Sequence, residues 1–399
     1  MKKNDHRSQY FLLLILLLFF LAGCQRDDSS NEQSSSTISS VESSIEDESS
    51  ESVESKETTD PENNNEDRAQ VILEDLSLEE KVGQMFLARL PDEDADYLAQ
   101  QYHLGGYIWF AKDFSEKIPE TVAEEIQAIQ NSMPIDLFMA VDEEGGEVTR
   151  VSSFEQYRSE PFLSPQEAFV WDGWEEIRAQ EQEKALLLKE LGLNMNLAPV
   201  ADVPLEETDF IYSRAFSMDP NEVAEFVKTA VKLSQDEKVA SVIKHFPGYG
   251  NNMDTHTGIA YDERDFQTFI ERDFLPFQAG IEAGASAVLV AHNVITSVDE
   301  TMPASLSPEV NQLLRENLSF DGIVMTDDLI MDGLRLFAET EEAAVLAVLA
   351  GNDILISSEF PAQVSAVISA VEEGRIAEEQ INEAVLRILK IKLQLEIIE

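Results

Sequence analysis

The segment from Lys244 to His256 brings a cation, two imidazoles and a carboxylate together on one short stretch of chain. A run rich in valine and isoleucine leads into Lys244 and His245, and Asp254 and His256 follow two glycines. The whole chain contains five histidines, so two in one glycine-broken loop is a concentration that few structural roles require. Because imidazole titrates near neutrality and a neighbouring carboxylate stabilises its protonated form, the segment predicts a loop that transfers protons in catalysis.

A second candidate is the pair Asp327 and Asp328, which follows an apolar run that predicts a buried strand. One of the two is expected to cap the helix that follows, a common use of aspartate. The other is then available as a nucleophile toward an electrophilic carbon. We assign the role of nucleophile to Asp327.

Two further segments carry groups that suit the hydroxyls of a sugar. Asp142 lies where a predicted strand ends, shortly before Gly145 and Gly146, and Arg150 closes the same segment. The glycines permit close approach of the backbone to a ligand, although a glycine pair alone indicates only a turn. Arg214 offers a planar fork of donors between small and aromatic residues, a setting that fits a surface salt bridge equally well.

The elements that must position these residues alternate regularly along the chain. Most of the strand-like runs are continuously apolar, as in parallel strands buried on both faces, and amphipathic stretches lie between them. This alternation predicts an α/β fold, a (β/α)8 TIM barrel with a single catalytic domain. The eight predicted strands are Gln84–Leu90, Gly106–Phe110, Leu137–Asp142, Met195–Val200, Ser241–His245, Ala287–His292, Ile323–Asp327 and Asp353–Ser357. The predicted helical stretches include Ala123–Ser132, Glu222–Gln235, Phe269–Gly284 and Glu341–Ala350, with Gly284 and Gly351 as C-caps.

The polar candidates lie at or just after the carboxyl ends of these predicted strands. In a barrel those ends meet at one rim, where active sites are built. His292 also fits a histidine satisfied by its neighbours below the rim, and His103 precedes a strand at the opposite end, where a structural role is expected. The residues expected at the rim are Asp142, Asp202, Lys244, His245, His292, Asp327 and Asp328.

The amino-terminal part predicts export and anchoring. A positively charged start and a short apolar core precede Leu21-Ala22-Gly23-Cys24, which resembles the lipobox of bacterial lipoproteins. We therefore expect a signal peptide at residues 1–24, lipidation of Cys24, and attachment to the extracellular face of the bacterial cytoplasmic membrane. Residues 25–68 are rich in Ser and Glu and lack aromatic residues, which predicts a disordered acidic linker. Residues 69–399 then form the catalytic domain.

Composition excludes several classes of partner. The formal net charge of -50 argues against nucleic acid and against direct binding to anionic lipid surfaces. Cys24 is the one cysteine of the chain, so no intramolecular disulfide is possible. We expect a monomer.

Taken together, the motifs resemble glycoside hydrolase family 3, and within it the bacterial β-N-acetylglucosaminidase (β-hexosaminidase) lipoproteins that act on peptidoglycan fragments. Each motif alone is weak, but their order and spacing are specific. The resemblance covers the chain from about Leu76 to Lys392. The motifs that carry it are Asp142 with Glu144-Gly145-Gly146, Leu197–Asp202, Lys244–Gly248, Asp254–His256, Pro303–Ser307 and Thr326–Leu329.

The resemblance implies a retaining exo-β-N-acetylglucosaminidase that removes terminal β-GlcNAc from peptidoglycan-derived muropeptides or related oligosaccharides. Asp327 would attack the anomeric carbon and form a covalent glycosyl-enzyme, and His256 with Asp254 would form the acid/base dyad. Neither a metal nor an organic cofactor is implied. The residues implied to hold the sugar are Asp142, Arg150, Arg214, Lys244 and His245.

The chain departs from the pattern of this family at four places. Tyr249 stands where histidine is common, and Thr255 stands where the dyad motif usually has serine. Glu147 stands where arginine is common, which removes a positive charge beside the sugar site. The loop from Gly250 to Asp254 is one residue shorter than usual, and this length affects where His256 reaches.

Three other functions fit part of the pattern. A non-catalytic, sugar-binding lipoprotein of the cell wall would use the same barrel, and a GlcNAc phosphorylase would use phosphate in place of water. A metal-dependent barrel hydrolase usually has a His-Xaa-His pair at the end of its first strand, which has no histidine here. Its ligands would be His245, His256, His292 and Asp327.

Overall fold

The computed structural model of the chain describes residues 61–255, 258–331 and 333–399, with side chains described from residue 65 onward. The predicted signal peptide, Cys24, the linker up to residue 60 and His256 lie outside the described residues. Within the described part, no helix combines the length and the apolar character needed to cross a bilayer.

Parallel strands form the centre of the fold. The described residues contain β1 (Phe86–Arg89), β2 (Gly106–Trp109), β3 (Phe138–Val141), β4 (Met195–Asn196), β5 (Ala240–Phe246), β6 (Tyr261–Asp262), β7 (Ala287–Val290), β8 (Val294–Ile295), β9 (Ile323–Thr326) and β10 (Leu355–Ser357). Eight of them pair in the order β10-β1-β2-β3-β4-β5-β7-β9. A bridge between Met325 and Ile354 joins the two ends of this sheet, and the Thr326 amide donates to the Ile354 carbonyl at 3.0 Å. The sheet thereby closes into a barrel, and the predicted (β/α)8 fold is confirmed.

The eight predicted strands are all present, although most are shorter than predicted. The fourth, with two residues, is the shortest of the eight. The pair β6 and β8 forms a separate two-stranded sheet that the sequence did not predict. Segments of two residues are too short to produce a recognisable hydrophobic period.

Helices follow most of the strands in the chain. They are α1 (Pro61–Asp75), α2 (Leu78–Gln84), α3 (Ala95–Tyr102), α4 (Ala111–Phe114), α5 (Pro119–Gln130), α6 (Pro165–Glu190), α7 (Pro220–Asp236), α8 (Phe266–Thr268), α9 (Phe274–Glu282), α10 (Pro308–Gln312), α11 (Thr340–Leu349), α12 (Phe360–Glu372) and α13 (Glu378–Gln394). Short π-helical segments at Phe269–Asp273 and Leu313–Asn317 follow α8 and α10. The predicted helical stretches are helical, and Gly284 and Gly351 have φ of 93° and 97° just after α9 and α11, as predicted for C-caps.

The first helix corrects the predicted end of the linker. The sequence places residues 61–68 in the disordered linker, whereas α1 already begins at Pro61. Ala69 and Leu73 of this helix are buried, and Glu66 lies 3.2 Å from Lys390 of α13. The sequence does not predict this helix because the residues before Ala69 are acidic and form no apolar stripe. The helix that packs against them lies near the other end of the chain.

An irregularity in β5 sets the direction of two candidate residues. Consecutive side chains of a regular strand point to opposite faces. The pairing of β5 with β7 shifts register between Lys244 and Phe246, so the strand is irregular at this point. At this irregularity both Lys244 and His245 reach polar partners at the carboxyl end of the barrel.

Candidate active site

The predicted rim residues follow the barrel strands in the expected way. Asp142 comes directly after β3, Asp327 comes directly after β9, and Lys244 and His245 lie in the last part of β5. Asp142 and Asp327 are half-buried, whereas Lys244 and His245 are buried. Residues from distant parts of the sequence therefore meet at one mouth.

A buried cluster of two cations and two carboxylates lies at this mouth. Lys244 Nζ is 2.6 Å from Asp142 Oδ1 and 2.6 Å from Glu144 Oε1. Arg214 donates to both oxygens of Glu144, at 2.9 Å from Nε and 2.8 Å from Nη2. This bidentate pairing fixes the plane of the guanidinium group. Arg214 therefore belongs to a buried network, and the surface salt bridge that its sequence context also allowed is excluded.

The charges of this cluster control its protonation. Burial alone raises the pKa of Glu144, but the charges of Lys244 and Arg214 outweigh burial and hold this pKa well below its usual range. Burial lowers the pKa of Lys244, and the carboxylates of Asp142 and Glu144 outweigh burial and raise it. Glu144, Lys244 and Arg214 therefore stay ionised at neutral pH, and the two cations present N–H donors of fixed direction.

Glu144 is the main residue of the site for which no individual role was predicted from the sequence. It stands beside Gly145, whose φ of 103° places it in the left-handed region, and a Cβ on Gly145 would lie 2.3 Å from the Leu163 carbonyl oxygen. The backbone thus turns tightly at this point, and Lys184 Nζ donates to the Glu144 carbonyl at 2.9 Å. The signal available in the sequence was a carboxylate directly before a glycine pair.

The loop that carries Arg150 is organised by a neighbouring buried carboxylate. Glu143 accepts hydrogen bonds from the amides of Arg150 and Val151 at 2.8 and 2.7 Å and from the Ser152 hydroxyl at 2.5 Å. Arg150 itself lies near the ring of Phe110, 5.9 Å from its centroid. Its Nε is buried and has no hydrogen-bond partner among the described residues. Arg150 is therefore near the site without joining the Lys244–Arg214 cluster.

His245 is held in one tautomer by its partners. Its Nδ1 lies 2.7 Å from Asp202 Oδ2, and its Nε2 lies 3.2 Å from Arg214 Nη2. Because a guanidinium can only donate, Nε2 accepts and Nδ1 carries the proton that is donated to Asp202. Asp202 also accepts the Tyr249 amide at 2.7 Å. The carboxylate predicted at the end of the fourth strand thus orients the imidazole and the start of the following loop.

The two adjacent aspartates have different surroundings. Asp328 accepts hydrogen bonds from the Ser358 hydroxyl at 2.5 Å and from the Ile330 amide at 3.2 Å, and burial raises its pKa. Asp327 Oδ1 accepts the Asp328 amide at 2.8 Å. The prediction that one aspartate caps a following helix is wrong, because turns follow this pair and the next helix, α11, begins at Thr340. Asp328 stabilises a turn instead.

The remaining histidines of the described chain have structural partners. His292 is fully buried, and its ring nitrogens lie 2.7 Å from Ser305 Oγ and 3.1 Å from the Asp328 carbonyl oxygen. This arrangement matches the expectation of a satisfied histidine below the rim. His103 ends α3 with a φ of 52°, before β2 and away from the mouth. No group of three or more His, Cys, Asp or Glu side chains is placed to hold a metal ion within the described part of the chain.

The loop after β5 is fastened at its base. Arg264 donates to Asp273 at 2.9 Å, to Asp262 at 2.7 Å and to the Gly248 carbonyl at 2.9 Å. Farther along, the Tyr249 hydroxyl lies 2.7 Å from Thr255 Oγ1. Asp254, the predicted partner in the dyad, is half-buried beside Thr255. The structure therefore describes this loop up to Thr255, the residue before His256.

A closed barrel with a half-buried aspartate and oriented donors at its carboxyl-terminal rim is an architecture that supports many chemistries, glycoside hydrolysis among them. Residues 77–391 match the family described as the glycosyl hydrolase family 3 N-terminal domain. The chain belongs to this family, and the predicted resemblance to glycoside hydrolase family 3 is confirmed.

Individual relatives agree with this assignment. Beta-hexosaminidase A of Pseudoalteromonas piscicida is 30% identical over 339 residues, which cover 77% of this chain and 56% of that protein. The beta-hexosaminidase of Methylococcus capsulatus is 28% identical over 295 residues, which cover 71% of this chain and 84% of that protein. A solved glycoside hydrolase family 3 β-N-acetylglucosaminidase from Paenibacillus sp. str. FPU-7 superposes with a TM-score of 0.76 and 32% identity, covering 81% of this chain and 63% of that one. The chain thus spans little more than half of the first relative and under two thirds of the solved structure.

Proposed function

We propose that this protein is a retaining exo-β-N-acetylglucosaminidase that removes terminal β-GlcNAc from muropeptides or related oligosaccharides. The observation that carries the proposal is the meeting of Asp327 with the buried Lys244–Glu144–Arg214 network at one barrel mouth. The network supplies fixed donors for sugar hydroxyls. The aspartate supplies a nucleophile.

The reaction follows from the chemistry of these groups. Asp327 attacks the anomeric carbon as the glycosidic bond breaks, and a covalent glycosyl-enzyme forms. His256 donates its proton to the departing oxygen, and Asp254 stabilises the imidazolium before transfer. Water, deprotonated by the same imidazole, then attacks the anomeric carbon as its bond to Asp327 breaks, so the Asp327 carboxylate is regenerated and the sugar leaves with retained configuration.

Substrate recognition is assigned to the cluster and its neighbours. Lys244 and Arg214 share the carboxylate of Glu144, so their free donor positions converge, and the His245 ring lies beside Arg214. Asp142 supplies an acceptor in the same place. The buried, unpartnered Nε of Arg150 offers one further donor for a substrate oxygen.

Two substitutions test the assigned roles. Asp327→Ala and His256→Ala should each abolish release of p-nitrophenol from its β-GlcNAc glycoside. Asp321→Ala and His103→Ala are matched controls, because both residues precede a strand and lie at the opposite end of the barrel. Turnover like that of the wild type in either rim variant would refute its role.

A trapping experiment separates catalysis from simple sugar binding. A 5-fluoro β-GlcNAc derivative should leave a stable adduct on the peptide that contains Asp327, which mass spectrometry would locate. Binding without an adduct or turnover would favour the non-catalytic alternative. The phosphorylase alternative predicts faster turnover with phosphate and GlcNAc-1-phosphate as the product.

We also propose that lipidated Cys24 holds the enzyme on the extracellular face of the cytoplasmic membrane. The support is the sequence alone, since Cys24 follows a short apolar core and Leu-Ala-Gly. Labelling of expressing cells with a palmitate analogue should mark the wild type and not Cys24→Ala. Equal labelling of both proteins would refute the anchor.

A further inference from the structure

Tyr249 connects the sugar-binding network to the loop of the acid/base dyad. Its hydroxyl oxygen lies 2.7 Å from Thr255 Oγ1, and its amide donates to Asp202 at 2.7 Å. Its ring meets that of His245 edge-on, with 5.1 Å between the centroids. Tyr249 is 1% exposed and Thr255 is 0% exposed, so water does not compete for the bond between their hydroxyls.

We propose that Tyr249 is a positioning residue for the acid/base step. Its hydroxyl holds Thr255 and thereby sets the place of the neighbouring Asp254, the residue assigned as the carboxylate of the acid/base dyad. This inference rests on the proposed glycosidase function. The phenol stays neutral in this role, because burial and the negative charge of Asp327 raise the pKa of Tyr249 well above its ordinary value.

The test compares two substrates that differ in their need for a proton. The alcohol that leaves from N,N′-diacetylchitobiose must be protonated, whereas 2,4-dinitrophenolate leaves without much help. Tyr249→Phe should lower kcat/KM for diacetylchitobiose roughly five- to tenfold, the factor expected for one neutral hydrogen bond. The same variant should change kcat/KM for 2,4-dinitrophenyl β-GlcNAc by less than about twofold.

Substitutions of Thr255, the hydrogen-bond partner of Tyr249, provide a second test. Thr255→Val should show the same selective loss, and Thr255→Ser, which keeps the hydroxyl, should retain the wild-type ratio between the two substrates. The double variant Tyr249→Phe/Thr255→Val should be no worse than either single variant, because all three lack the same bond. Tyr107→Phe is the matched control, since it removes another buried phenol that donates elsewhere, to Ala95 at 2.8 Å.

The outcomes distinguish a failure of the positioning role of Tyr249 from a failure of the proposed glycosidase function. Equal losses on both substrates, no loss on diacetylchitobiose, or additive losses in the double variant would overturn the positioning role while leaving the glycosidase function intact. A wild-type protein that hydrolyses neither β-GlcNAc substrate would overturn the proposed function itself. Thermal unfolding of each variant shows whether a general loss of folded protein contributes.

Discussion

Replacing Glu144 with Gln should destabilise the protein by roughly 3–5 kcal/mol at pH 7, the range found when one member of a buried ion pair is removed. The Glu144 side chain is buried and contacts Lys244 at 2.6 Å and Arg214 at 2.8 and 2.9 Å. The amide removes the negative charge and leaves the Arg214 guanidinium without its ion-pair partner. Arg214 cannot escape this cost by losing its proton. In this variant Lys244 still has the carboxylate of Asp142 as an ion-pair partner.

Glu147→Gln provides the control on the same loop. Glu147 is exposed and accepts a hydrogen bond from the Ser213 hydroxyl at 2.9 Å, so its replacement should change stability by no more than about 0.5 kcal/mol. Differential scanning calorimetry should show a fall in Tm of roughly 4–7 °C for Glu144→Gln. The fall for Glu147→Gln should be about 1 °C or less. Equal Tm values for the two variants would refute the reasoning.

The advantage of Glu144 over glutamine should also depend on pH in a definite direction. The neighbouring cations hold the pKa of Glu144 well below its usual range in the folded state, whereas the unfolded chain titrates near ~4.3. The folded state thus binds fewer protons, so the stabilisation is complete above about pH 4.3 and is lost progressively below it. Urea unfolding at pH 3.5 should show a difference smaller by about 1 kcal/mol than at pH 7. A difference that does not change with pH would show that the charge is not responsible.

Two further predictions concern other buried groups. Lys392 is fully buried, and burial lowers its pKa to about 7, so the folded chain binds fewer protons than the unfolded chain between about pH 7 and 10.4. Lys392→Met should therefore stabilise the protein by roughly 2–4 kcal/mol at pH 6, and this gain in stability should disappear toward pH 10. Urea unfolding across this pH range measures the gain, and a gain that stays constant with pH would contradict the prediction. Gly248 has a φ of 118°, and an added Cβ would lie 2.5 Å from Asp273 Oδ1. Gly248→Ala should cost about 2 kcal/mol or more and lower kcat on β-GlcNAc glycosides, whereas Gly374→Ala, with a φ of 75° and open space around the Cβ, should lower stability alone.

The barrel could be predicted from the sequence because its strands are continuously apolar. A parallel strand is buried on both faces, so each run stands out against the amphipathic helices around it. The same alternation placed Asp142 and Asp327 at the rim, since each is the first polar residue after such a run. These positions need nothing beyond local pattern and the geometry of a barrel.

The contacts inside the site could not be predicted in the same way. The role of Glu144 depends on Lys244 and Arg214, which come from other loops and meet it only after the barrel closes. The irregularity in β5 is a shift of its register against β7, so the sequence of β5 alone does not reveal it. The adjacent aspartates show a case in which the local pattern misleads. Aspartate is a residue type typical of helix caps, but Asp328 accepts the Ile330 amide and stabilises a turn.

The net charge of the groups at the barrel mouth affects which kind of ligand can bind there. The cations Lys244 and Arg214 are matched by the carboxylates of Asp142 and Glu144, and the ring of His245 is neutral in the tautomer that its partners impose. The network therefore offers oriented donors and acceptors without a net positive charge, and Asp327 adds a negative charge nearby. A phosphate or carboxylate group would lose its hydration here without a compensating net attraction. A neutral sugar gains directed hydrogen bonds at little electrostatic cost, because the donors are already held in place. Lys244 and Arg214 are thus held at the mouth as paired, directional groups, a setting that suits a neutral sugar better than an anionic group.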